Sequence, residues 1–311
     1  MIMNKTRQNS YIAVRNFIYA GIAFIAMGLA ACTQDDDTAT SLKGQEINAT
    51  FSVGGVQTRV NTLGRGEQWE DKDKIKVKIF TDYDPGSTTV LAFNGETGEW
   101  SRNSSFRWLG ESYEHTILAV YPSDYDLMIY YLPTNQSSPE DLKSADLIHG
   151  FRYDYPDLDN YIKIPMKHRM SLVTVKYNVG TADYPDLDIK SLQICSPCSG
   201  ASFFNLPYYN KEWKMDTSNY NENKSVDACK TEDGEEKSFS AIIVPGTIGT
   251  DKEFLKFSID GKNFVSKLKT PTDFEEGKRY TYKLDVGKDK VELTQISVDD
   301  LAGWTTEEEL K

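Results

Sequence analysis

The chain is poor in the residues that reactive chemistry uses most. Its three histidines stand apart at positions 115, 149 and 168, and no spacing among them spells a metal-ligand set. There is no HExxH, no GxSxG, no P-loop and no GxGxxG leading into a helix, which leaves the usual protease, hydrolase and nucleotide chemistries without their residues. Asp and Glu are plentiful, yet nothing marks a working carboxylate pair. Positive charge is short as well. Thirty-five Lys and Arg face 47 Asp and Glu, a net charge of −12, which argues against nucleic acid or anionic lipid headgroups as partners. Helix-forming Ala and Leu are scarce while Tyr is abundant, and no long amphipathic helical pattern follows the first thirty-odd residues. That balance favours strands.

Cysteine is the remaining scarcity. Beyond Cys32 the chain has Cys195, Cys198 and Cys229, an odd number that cannot all pair internally. Cys195-Ser-Pro-Cys198 has CxxC spacing. A zinc site needs a second pair or close histidines. A thioredoxin-like site needs the pair at a helix N-terminus, but Gly200–Phe204 after it reads as a strand. A structural disulfide or free thiols are expected, with no catalytic residue, no metal and no cofactor.

The N-terminus is richer in signal. Lys5, Arg7 and Arg15 precede the apolar run 17–28, and no acid does. The run is shorter than the roughly 20 apolar residues that span a bilayer. It closes on Leu29-Ala-Ala-Cys32, a small-residue cleavage site followed at once by cysteine. This resembles a bacterial lipoprotein signal, which implies removal of residues 1–31 and diacylation of Cys32, the palmitate-type anchor of an outer-membrane protein. The mature net charge is then −15, because Lys5, Arg7 and Arg15 leave with no acid. Asp35, Asp36 and Asp37 resemble the acidic export signal of surface lipoproteins in the Bacteroidetes. Asp37-Thr38-Ala39 resembles their short O-glycosylation site. Residues 32–50 are read as an acidic tether.

About 280 residues follow the signal, more than one domain of usual size. Period-two patterns recur along them. Ile75-Lys-Val-Lys-Ile79 alternates core and water faces. Thr116–Tyr121 is a continuous apolar run stopped by Pro122, as in a strand buried on both faces. Leu172–Tyr177, Phe239–Val244 and Tyr280–Val286 read as strands, and Val291–Val298 does so with one slip. Phe254–Ile259 and Asn263–Lys267 flank Asp260-Gly261, a hairpin signal. The stretch 142–159 is least regular and reads as a short helix or a loop. Asp-Tyr-Pro-Asp-Leu-Asp occurs at 154–159 and 183–188. It lacks the spacing of a calcium loop and reads as turns. Many short strands with turn chemistry between them point to an all-β protein of sandwich type. Two domains are expected, 51–165 and 166–311.

Six short motifs then fall in one order. They are Thr58-Arg59 with Trp69 and Ile75-Lys-Val77; Ala119-Val-Tyr-Pro122; His168-Arg-Met-Ser171-Leu-Val173-Thr-Val175; Ala241-Ile-Ile-Val-Pro245; Phe274-Glu-Glu-Gly277-Lys-Arg-Tyr280-Thr-Tyr282-Lys-Leu284; and Trp304. From about residue 51 onward the chain resembles the fimbrillin family of the Bacteroidetes, the Mfa-like pilins and fimbrial accessory lipoproteins. Lys72-Asp73-Lys74 stands where that family has Gly-Asp, a departure at the turn before the first long strand. His168, at an apolar strand edge, reads as a hydrogen-bonded structural residue.

The resemblance implies two tandem transthyretin-like β-sandwich domains and a surface fimbrial subunit or accessory lipoprotein, built by β-strand addition and supporting adhesion. Its partners are then other fimbrial subunits, the outer membrane through the lipid, and a host or bacterial surface ligand. An arginine-specific protease would cut after Arg59, or after Arg65, and release the anchor with a first strand at Phe51-Ser-Val53. The candidate donor strand is 291–298, with Val291 and Leu293 on one face and Ile296 and Val298 on the other unless a bulge intervenes. Alternatively those strands are permanent and the chain stays anchored through Cys32, as a base or tip subunit of the fimbria does. A separate reading is a non-polymerising surface lipoprotein that binds glycan or protein, with Trp100, Trp108, Tyr130, Tyr131, Tyr208 and Tyr209 as stacking candidates if exposed.

Overall fold

The computed structural model describes residues 41–53, 69–157, 159–177, 188–205, 211–233, 236–259, 261–287 and 291–301. Cys32, Arg59, Arg65, Tyr208, Tyr209 and Trp304 lie outside these residues. Residues 42–311 form one compact unit, and its described part is almost wholly β.

The first half builds a seven-stranded sheet in the order β1-β8-β7-β5-β2-β3-β4. Its strands are β1 (Asn48–Val53), β2 (Lys74–Phe80), β3 (Ser87–Asn94), β4 (Glu99–Trp100), β5 (His115–Tyr121), β7 (Ile148–Asp154) and β8 (Tyr161–His168). β1 begins at Asn48, so its first three residues fall in the stretch read as tether. All neighbours are antiparallel except β1 and β8, which run parallel. β2 alternates as its sequence indicates, with Ile75, Val77 and Ile79 fully buried between partly or fully exposed lysines.

β5 is buried on both faces, and its two faces meet different cores. Ile117, Ala119 and Tyr121 join Phe51, Trp69, Trp100 and Trp108 in one cluster. Leu118 and Val120 join a larger cluster that continues to Leu301. The larger core sits between two sheets. One has the order β14-β15-β9-β20-β21: β14 (Cys229–Asp233), β15 (Glu236–Ile243), β9 (Ser171–Tyr177), β20 (Lys278–Val286) and β21 (Val291–Asp300). The other has the order β13-β10-β17-β18: β13 (Lys224–Asp227), β10 (Leu192–Ser196), β17 (Glu253–Ile259) and β18 (Lys262–Lys267). Phe254 of β17 meets Tyr282 of β20 across the gap, ring centroids 5.2 Å apart. Two small sheets complete the fold. β6 (Ile129–Tyr131), β11 (Gly200–Asn205) and β12 (Trp213–Asp216) form one, and β16 (Gly246–Ile248) pairs with β19 (Thr272–Phe274) in the other.

The irregular stretch 142–159 resolves into two elements. A seven-residue helix, α1 (Pro139–Ala145), starts on Ser138, whose hydroxyl accepts the Asp141 N–H at 3.1 Å. Pro139 opens it, and Leu142 and Ala145 are its buried side. β7 follows, and it is an interior strand of the large sheet rather than a loop. His149 and Arg152 break its apolar pattern, which hid it from a reading by periodicity. The departure at Lys72 is also explained. Lys72 takes φ 71°, the conformation a glycine adopts freely, and Asp73 closes the turn by accepting the Glu70 N–H at 2.8 Å.

A buried amide extends one sheet without a strand. Gln136 is fully buried. Its Nε2 donates to Ile242 O at 2.9 Å and its Oε1 accepts the Ile242 N–H at 2.7 Å. Register pairing between β14 and β15 runs no further than Ser240, so the side chain meets backbone groups that β14 does not reach. Among the described residues, no helix is long and apolar enough to cross a membrane.

Candidate assembly edges

Two edge strands carry the residues singled out by sequence. β1 has one neighbour, β8, with six register pairs from Asn48↔Tyr161 to Val53↔Met166. Phe51 and Val53 are essentially fully buried, beside Ile164 and Met166 in the register. The Phe51 ring meets Trp100 edge-on at 4.9 Å, and Trp69 lies 5.2 Å from Trp100. The Trp69 indole Nε1 donates to Phe51 O at 2.8 Å. β1 is thus held by a ladder, two buried side chains and one indole. The alternation Ala49, Phe51, Val53 puts those side chains on one face.

β21 is the other edge. It pairs antiparallel with β20 from Val286↔Val291 to Lys278↔Asp300, with a bulge at Ile296, since Thr281 faces Ser297 and Tyr282 faces Gln295. The bulge returns Val298 to the face of Leu293 and Val291, opposite Tyr280. Leu293 is buried and Val291 is half-buried, while Ile296 is 52% and Val298 45% exposed. β21 therefore buries only part of its apolar face. Lys278 of β20 reaches Asp300 at 2.5 Å and Lys269 reaches Glu292 at 2.9 Å, surface pairs of about 0–1 kcal/mol each.

The titratable groups are arranged for structure. His168 shares Asp146 at 2.9 Å and is 5% exposed, the structural role its position suggested. Burial, reinforced by the nearby Arg169 charge, pushes His149 down to about 3. Burial also lowers His115, whose Nε2 accepts the Leu109 N–H at 3.0 Å. Cys195, Cys198 and Cys229 are free thiols, and burial pushes all three upward, away from the reactive thiolate. Of the repeated hexapeptide, Asp154 pairs with Arg152 at 2.6 Å and Asp188 with Lys230 at 2.5 Å. Among the described residues, no group of His, Cys, Asp and Glu stands close enough to hold a metal.

The stacking candidates divide. Trp100, Trp108 and Tyr130 are core residues, while Tyr131 is 65% exposed. A cleft of about 680 Å³ opens beside Phe80, Met128 and Trp213. Its two lysines are engaged, Lys76 with Tyr125 O at 2.6 Å and Lys78 over the Phe80 ring. Thr88 and Asp126 also line it, and Asp126 Oδ1 accepts the N–H groups of Met128 at 2.8 Å and Ile129 at 3.2 Å.

Comparison with known proteins agrees with this architecture. A protein assigned to cell adhesion from Bacteroides ovatus superposes with a TM-score of 0.57 at 14% identity, covering 86% of this chain and 99% of its own. One from Bacteroides uniformis gives 0.55 at 16% identity, covering 85% and 99%. At such identities the likeness is one of fold. No curated protein matches the chain. A family model described as fimbrillin-like covers residues 58–300, and the chain belongs to that fimbrillin-like family.

Proposed function

We propose that the chain is a cell-surface fimbrial subunit or accessory lipoprotein that joins other subunits by β-strand addition and supports adhesion. Family membership supports the fimbrial role at the cell surface and a structural rather than enzymatic protein. The two neighbours assigned to cell adhesion support an adhesive role. The observation that carries the finer reading is β1, a single-neighbour edge strand with Phe51 and Val53 sunk in a core. Cleavage after Arg59, or after Arg65, frees this strand together with its diacylated Cys32. Its loss uncovers a groove along β8, floored by Ile162, Ile164 and Met166.

An incoming strand needs apolar residues two apart to refill that groove. β21 offers them. Ile296 and Val298 repeat the spacing of Phe51 and Val53, and both are exposed in the isolated chain. Val291 and Leu293 would leave their present sheet at the same step. Tandem transthyretin-like domains divided near residue 165 take the seven-stranded sheet as the first and the sheets of the larger core as the second, with β6 pairing to β11 across the boundary.

The test is oligomer formation. Chain treated with an arginine-specific protease is expected to form a ladder of denaturation-resistant oligomers. The ladder should vanish with Arg59→Ala/Arg65→Ala and weaken with Ile296→Asp/Val298→Asp. A ladder indifferent to all four substitutions would refute strand exchange through these segments.

A further inference from the structure

We propose that Tyr83 and Tyr113 form a carbohydrate platform that takes a neutral glycan. Both rings stand on loops at one end of the seven-stranded sheet. Tyr83 follows the end of β2 and Tyr113 precedes β5, and these strand ends pair at Phe80↔Thr116. Tyr83 is 79% and Tyr113 51% exposed. Their centroids lie 5.1 Å apart with planes inclined by 52°, so the two faces form a shallow wedge open to solvent.

Neither ring hangs on loose chain. The Thr81 hydroxyl accepts the N–H groups of Tyr83 at 3.2 Å and Asp84 at 3.0 Å. Thr81 N–H donates to Asp84 O at 2.9 Å, and Asp84 Oδ1 accepts the Gly86 N–H at 2.8 Å. Gly86 takes φ 69°, and a Cβ there would lie 1.6 Å from Ile79 O. The turn that presents Tyr83 is therefore closed and glycine-dependent. Tyr113 rests on Gly110, where a Cβ would come within 2.6 Å of its ring. Two large rings are thus fixed in water, mainly against each other, when burial would stabilise each by more.

The chemistry around them selects the ligand. A pyranose ring offers a face of C–H groups to an aromatic ring and hydroxyls at its rim. Asp82 stands exposed next to Tyr83 in the chain, an acceptor for those hydroxyls, and Asp84 and Glu111 add negative charge in the same two loops. The same carboxylates repel sialylated, sulfated and uronic sugars and an anionic membrane. Lys211 is bound to Glu114, next to Tyr113 in the chain, and covers Tyr153. A neutral glycan fits both the rings and the field.

The inference rests on the adhesive part of the function above and is independent of strand exchange. Oligomer ladders and glycan binding are read separately, so either can fail alone. The test is calorimetric titration of the full chain with mannohexaose, xylohexaose and an N-acetyllactosamine hexasaccharide, with 3′-sialyllactose and a heparin hexasaccharide as anionic probes. At least one neutral probe should bind. Tyr83→Ala and Tyr113→Ala should each weaken it about tenfold, with an unchanged melting temperature. Val265→Ala, an exposed apolar residue on β18, should leave binding intact. No binding of any neutral probe, equal binding of the anionic ones, or binding indifferent to both substitutions overturns the proposal.

Discussion

Phe51→Ala probes the strand on which assembly is argued to turn. The ring is fully buried and packs on Trp100, so its truncation costs about 3–5 kcal/mol. β1 pairs with β8 alone, so the loss falls first on local detachment of β1. Each 1.4 kcal/mol is tenfold, which raises the open fraction roughly 140- to 3,700-fold. Amide hydrogen exchange reads this directly. Those amides among Ile162, Lys163, Ile164 and Met166 of β8 that bond to β1 should exchange faster by up to that factor, while those of Val173, Val175, Phe239 and Ala241 in the other sheet keep their rates. Cleavage after Arg59 should accelerate in parallel. Equal acceleration in both sheets would mean that β1 opens only with the whole molecule, and the detachable-strand reasoning would fall. Unchanged exchange in β8 would mean that Phe51 does not hold the strand.

Further outcomes follow from other parts of the fold. His149 binds its proton with a pKa of about 3 when folded, against 6.5 as a free side chain. The unfolded chain takes up that proton first, so stability is full above about pH 6.5 and falls as pH drops toward 3. The loss at about pH 4.5 is about 2–3 kcal/mol; urea melts of His149→Phe at that pH and at neutral pH should show a smaller difference than the parent. Gln136→Leu strands the N–H and C=O of Ile242 and should cost about 2–5 kcal/mol, seen in the urea midpoint; a change under about 0.5 kcal/mol would remove the amide from the ladder. Lys72→Gly relieves a left-handed backbone and should raise the melting temperature by about 2–4 °C. A reducing agent should leave that temperature unchanged, since Cys195, Cys198 and Cys229 are unpaired; a fall on reduction would reveal a bridge.

Strands with clean alternation were legible in the chain. Ile75–Ile79 and Tyr280–Val286 lie where their patterns put them, because each has one face on a core and one toward water. Thr116–Tyr121 announced burial on both sides by its unbroken apolar run. β7 was hidden for the converse reason. His149 sits in a buried aromatic nest, stacked on Phe203 at 5.1 Å, and a polar letter there reads as loop. The slip in 291–298 was visible, and only pairing with β20 showed that the bulge falls at Ile296 and brings Val298 back into line. The buried Trp100, Trp108 and Tyr130 illustrate that aromatic letters do not declare their side of a sheet. Tyr83 and Tyr113 carried one local signal, the flanking Asp82, Asp84, Glu111 and Glu114. Their contact arises from the pairing of β2 with β5, which joins residues thirty positions apart.

The most direct test is the intact mass and N-terminus of the protein taken from native outer membrane and its surface fibres. A chain beginning at Val60 is expected, with the diacylated segment and β1 removed and the β8 groove open to a neighbour. A diacylated Cys32 at the start of all the material would mean that β1 stays in place, and would contradict assembly by exchange of that strand.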